Sequence, residues 1–69
     1  MGVSPKAKQQ MFLLDRVSRC EQSASHAAHQ ALQRIAAGEL DEAKADLRRA
    51  LADVERGLLW KHQMDRLTH

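Results

Sequence analysis

Ile35-Ala36-Ala37-Gly38-Glu39-Leu40-Asp41-Glu42 is the stretch of this 69-residue sequence in which a helix stop and a helix start fall side by side. Gly38 can take the left-handed conformation that closes a helix, and Asp41 can cap the free amides of the next one. Before the stretch, from Pro5 to Ala37, neither Gly nor Pro interrupts the chain. Small and apolar residues recur there at Leu13, Val17, Cys20, Ala24, Ala28, Ala31 and Ile35, in steps of three and four that place them on one helix face. Ser4-Pro5 marks the start of that helix, because a serine side chain accepts from an orphan amide and proline at the first position forfeits only an amide without a partner. After the stretch, Glu42 suits the positive end of a second helix dipole and Lys61 and Arg66 its negative end. The predicted inner face of that helix is Ala43, Leu47, Ala50, Leu51, Val54 and Leu58. The expected architecture is therefore all-α: one domain over residues 1–69, an antiparallel two-helix hairpin with helix one over about 5–37, a turn at 38–40 and helix two over about 41–67.

Composition supports this reading and sets its limits. Ala, Leu, Arg, Gln, Glu and Lys dominate, whereas aromatic residues make up only 3% of the chain, which favours helix over sheet. A core built from so few residues rarely supplies more than ~3–5 kcal/mol without disulfides, metal or oligomerisation. The lone Cys20 cannot form an internal disulfide, so support is expected from self-association or a partner that completes a bundle. The apolar runs Met11 to Leu14 and Leu58 to Trp60 fall far short of the ~18 residues a membrane span needs. Nothing at the N-terminus reads as a signal sequence, and a cytoplasmic location is the expectation.

A turn this short fixes the register: positions whose numbers sum to roughly 77 should lie level with one another. Met11 to Leu14 then stand beside Leu59, Trp60, Met64 and Leu67 at the open end of the hairpin. Four consecutive helical residues span about 300° of circumference, so one partner helix cannot hide them all. Met11, Phe12, Leu14, Leu58, Leu59, Trp60, Met64 and Leu67 are accordingly the expected partner-binding residues, with Trp60 as anchor. The occupant is either a second copy, giving a four-helix bundle, or a different protein. Gly57 costs about 1 kcal/mol inside a helix relative to Ala, and its expected use is the close approach of another backbone.

Candidate chemistry is sparse. His26 and His29 share a helix face, but His62 and His69 do not converge on them, so no metal site and no cofactor are expected. Cys20 reads as a small core residue rather than a nucleophile. No Gly-rich phosphate loop, CxxC or HExxH pattern occurs, and two helices offer no cleft in which carboxylates could be retuned, so enzymatic activity is not expected. The basic balance of helix one, carried by Lys6, Lys8, Arg16, Arg19 and Arg34, keeps a dimeric RNA-binding bundle as the alternative. Against it, acids and bases interleave along helix two, as in Asp46 with Arg49 and Asp53 with Arg56, which reads as a solvated face rather than a phosphate track.

The segment Ala36-Ala37-Gly38-Glu39-Leu40-Asp41-Glu42-Ala43, with Leu47 and Ala50-Leu51 after it, resembles half of a tetratricopeptide-type helix pair. Such a unit is unstable alone. From Gly38 onward the run through Glu42, Leu47, Val54, Glu55, Gly57 and Leu58 also resembles, in register, the second helix of the small YscE-like co-chaperones of type III secretion needle subunits. Ala43-Lys44 replaces the Gln-Tyr pair common in that family. This resemblance implies a non-enzymatic hairpin that binds a helical-repeat chaperone and helps keep a needle subunit from polymerising.

Overall fold

The computed structural model describes residues 4–68, which form two helices, α1 (Pro5–Ala36) and α2 (Leu40–Thr68), packed against each other as an antiparallel hairpin. Ser4 is extended, its Oγ accepts from the Ala7 amide at 3.2 Å, and Pro5 follows as the first helical residue. The end of α1 is closed by two bonds that wrap around Gly38 at φ 79°: the Gly38 amide donates to the Ile35 carbonyl at 3.1 Å and the Glu39 amide to the Arg34 carbonyl at 2.8 Å. This is the Schellman arrangement, and glycine suits its left-handed position because it has no Cβ.

That closure delivers the chain into α2 earlier than the sequence suggests. The Ala43 amide donates to the Glu39 carbonyl at 3.0 Å, so Glu39 holds the cap position. Asp41 and Glu42 lie within the first turn, where their charge opposes the dipole, and Asp41 is not the cap. The turn is Ala37-Gly38-Glu39 rather than 38–40. The register expectation is met at Cys20 and Gly57, where a Cβ added to the glycine would stand 3.3 Å from the cysteine Cβ. What Gly57 makes room for is therefore the Cys20 side chain of α1.

The inner faces differ from the expected ones. On α1 the buried residues are Leu13, Val17, Cys20, Ala24, Ala27 and Ala31. Ala27 replaces Ala28, and the next seam position is Arg34 while Ile35 is exposed. On α2 the seam is Ala43, Asp46, Ala50, Asp53, Gly57, Trp60, Met64 and Leu67, every one buried or half-buried. Of the predicted inner face, only Ala43 and Ala50 belong to it. Leu47, Leu51, Val54 and Leu58 are each 48–58% exposed. The cause is closeness: alanines on α1 and Gly57 on α2 draw the helices together, and leucines cannot fit between backbones that near. The molecule measures 55 × 22 × 11 Å, so it is one helix thick, and both broad faces of the pair lie open.

Candidate interaction surface

Seam positions on both helices follow steps of three and four, so their immediate neighbours in sequence form two further stripes, about 100° to either side. In an antiparallel pair the C-terminal neighbours of both seams share one broad face and the N-terminal neighbours share the other. Two clefts show this directly. One, of about 170 Å³, is lined by Val17, Cys20, Glu21, Val54, Gly57, Leu58 and Lys61. The other lies on the opposite side, between Arg16, Arg19, Ser23, Arg56 and Trp60.

The first face is apolar. It carries Met11, Leu14, Leu32 and Ile35 from α1 and Leu40, Leu47, Leu51, Val54 and Leu58 from α2, all exposed. Among the described residues these are nine of the eleven large exposed hydrophobic side chains, so the molecule is strongly two-sided. The row is continuous on α2 from Leu47 to Leu58 but broken on α1 by Ser18, Glu21 and Ser25. The second face carries Arg16, Arg19, Arg49, Arg56 and Arg66 among Ser23, Gln30, Gln33 and Gln63. For brevity these are the leucine face and the arginine face.

The eight residues expected to bind a partner do not form one patch. Met11, Leu14 and Leu58 lie on the leucine face. Phe12 and Leu59 lie on the arginine face, and Trp60, Met64 and Leu67 are half-buried in the seam. Phe12 and Trp60 satisfy part of their surface with each other, ring edge to ring face with centroids 6.1 Å apart, and the Arg16 guanidinium stands 4.9 Å from the Phe12 centroid. The open end is thus partly closed by contacts within the chain, and the larger uncovered surface is the α2 row at Leu47, Leu51, Val54 and Leu58. Those residues are conspicuous in the sequence, but their hydrophobicity argues for the seam, which hides their outward direction.

Two carboxylates lie in the seam, where the sequence suggested a solvated pattern. Asp46 is 5% exposed and accepts from Arg34 Nε at 2.8 Å, while Arg34 Nη1 reaches Glu39 Oε2 at 3.4 Å. Asp53 is 6% exposed, accepts from Ser23 Oγ at 2.6 Å and meets Arg56 Nη1 at 3.4 Å. Every buried side-chain nitrogen and oxygen among the described residues has a partner. These cross-helix bonds tie Ser23 to Asp53 and Arg34 to Asp46, and a slip of either helix would strand a carboxylate in the seam. Their place between the helices gives them a structural rather than a chemical setting.

Cys20 is buried against Gly57. His29 lies 3.3 Å from Gln33 Nε2 on an exposed surface, and His69 falls outside the described residues. No group of three His, Cys, Asp or Glu side chains among the described residues is placed to hold a metal ion. No described helix is long and apolar enough to cross a membrane. Comparison with family models, with curated proteins and with solved structures gives no match to this chain.

Proposed function

We propose that the chain is a small non-enzymatic protein-interaction module that docks through its leucine face onto the helical surface of another protein layer. One observation carries the reading: nine of the eleven large exposed apolar side chains share one face of a sheet of helices 11 Å thick. Stable domains bury such faces between two layers, and this chain supplies one. Apolar patches of more than a few hundred Å² on soluble proteins mark binding sites. The resemblance of α2 to YscE-like co-chaperones narrows the proposal to a helical-repeat chaperone as physiological partner, with a needle subunit as the protein kept soluble. The docking row then centres on Leu47, Leu51, Val54 and Leu58, with Met11 and Leu14 at its far end.

The test is co-expression with the helical-repeat chaperone and needle subunit of a type III secretion system. A stable complex that Leu51→Asp disrupts and Leu59→Asp leaves intact is the expected result. Equal loss with both substitutions, or no complex, overturns the co-chaperone reading.

A bundle that binds RNA has one observation in its favour, the gathering of Arg16, Arg19, Arg49 and Arg56 on the face opposite the leucines, with Phe12 and Trp60 at its end. Arg16 is already engaged with Phe12, Arg19 with Asp15 at 3.0 Å and Arg56 with Asp53. Binding of this kind would weaken steeply with added salt and with Arg16→Gln and Arg56→Gln.

A further inference from the structure

The row Leu47, Leu51, Val54, Leu58 reads the same in both directions, in steps of four, three and four. Its midpoint lies between positions 52 and 53. On α1 the exposed apolar residues of this face, Met11, Leu14, Leu32 and Ile35, are also symmetric, about position 23. Cys20 and Gly57 face each other across the seam. The first midpoint precedes Gly57 by four and a half residues and the second follows Cys20 by three. Both midpoints therefore stand within about 2 Å of one height along the hairpin, about 5–7 Å from the Cys20 level toward the turn at 1.5 Å per residue.

From this coincidence we infer that the leucine face closes on a second copy of the chain, about a two-fold axis that crosses both helices at that height. The inference rests on the docking reading above and names an occupant for the same face. In this arrangement each helix packs antiparallel on its own counterpart. Leu47 meets Leu58 of the second copy, Leu51 meets Val54, Leu14 falls beside Leu32 and Met11 beside Ile35. Glu21 is set beside Ser25, so the polar break in the α1 row meets its own polar counterpart near the axis. Lys44 and Lys61 come level at the two ends of the row, where long stems cover apolar surface while the ammonium groups point outward. The other two-fold stacking, with its axis along the helices, places Glu21 over the second copy's Val54 and Leu58, a charge on the most apolar part of the face.

Area agrees with the pairing. The 55 × 22 Å face encloses about 1,200 Å², enough for the ~800 Å² per partner that a stable interface buries. A self-complementary patch is what a two-fold dimer requires. The result is a four-helix bundle whose two outer surfaces are the arginine faces, and a heterologous partner would compete with the second copy for the leucines.

The full chain tests this by sedimentation equilibrium from 1 to 200 µM with circular dichroism alongside. A dimer is expected, and Leu51→Asp with Leu58→Asp should raise its dissociation constant at least about 100-fold while helicity at high concentration is retained. Leu59→Asp, on the other face, should leave dimerisation unchanged. In a Cys20→Ala background, a mixture of Leu47→Cys and Leu58→Cys chains should form mixed disulfides in preference to either self-linked product. A dimer linked mainly Leu47→Cys to Leu47→Cys, or broken by Leu59→Asp, overturns the inference. So does a chain that stays monomeric at 200 µM. If that monomer binds a hydrophobic dye that Leu51→Asp abolishes, the face is open and the docking reading survives with another occupant. If it binds none, both fail.

Discussion

The seam between α1 and α2 and the leucine face beside it use opposite chemistry. Between Cys20 and the turn the seam is made of Ala24, Ala27, Ala31, Ala43, Ala50, Gly57 and two buried carboxylates, with Leu13, Val17, Trp60, Met64 and Leu67 only toward the open end, and the face of leucines, Val54 and Ile35. Full burial of a leucine or valine side chain contributes about 1.5–3 kcal/mol, so the exposed row holds more apolar free energy in reserve than the alanines of the seam have used. The seam is built for closeness and register. Along that stretch bulk is kept for the outside, and a hairpin of this kind is one half of a core.

The contrast breaks most sharply at Gly57. Its missing Cβ would already stand 3.3 Å from Cys20 Cβ, so Gly57→Leu must spread the helices. Overpacking a seam this tight should destabilise the fold by about 3 kcal/mol or more, even though leucine is the better helix former. That is most of what so small a core provides. Thermal unfolding followed by circular dichroism should show a non-cooperative or strongly lowered transition. An unchanged transition would mean that the helices do not approach at Cys20 as described.

The two partners in the seam's charged contact should differ in cost. Arg34→Ala leaves Asp46, 5% exposed, without its 2.8 Å donor and should cost about 2 kcal/mol. Asp46→Ala leaves a guanidinium that is 39% exposed, able to turn to water or to Glu39, and should cost about half as much. Urea unfolding of the two variants gives the comparison directly. Equal losses would place Asp46 in solvent. At the turn, Gly38→Ala forces a Cβ into φ 79°, where no neighbouring atom lies within 4 Å, so the loss of about 1 kcal/mol should come from backbone conformation alone. Gly38→Asn should recover part of it, since asparagine tolerates that region better.

The pair of helices and their antiparallel order were legible in the sequence because Gly38 punctuates two long uninterrupted patterns, and a turn that short leaves one topology. Ser4-Pro5 and the Cys20–Gly57 level were legible for the same local reasons. The seam of α2 was not. Two stripes with steps of three and four run along α2 one residue apart, and a hydrophobicity count selects the leucines of one over the alanines, glycine and aspartates of the other. What settles the choice is the distance between helices, a tertiary quantity set by small residues on both. Gly57 was the available clue, since its own stripe runs through Asp53, Ala50, Asp46 and Ala43. At the open end the register did set Phe12 level with Trp60; what it left out is that the two rings cover part of each other across the helices.

The smallest expected effect sharpens the comparison furthest. Leu47 is 49% exposed and lies outside the seam, so Leu47→Gln should shift the stability of the dilute monomer by less than about 0.5 kcal/mol, as surface substitutions away from special features do. Glutamine keeps good helix propensity, which removes the main local cost. Stability measured at rising protein concentration should then separate the two chains. Association adds to the apparent stability of a chain that binds its occupant only when folded, so the original chain should gain with concentration and the variant should gain less. A large loss already present in the dilute monomer would show Leu47 to be a seam residue and the leucine face to be part of the fold itself.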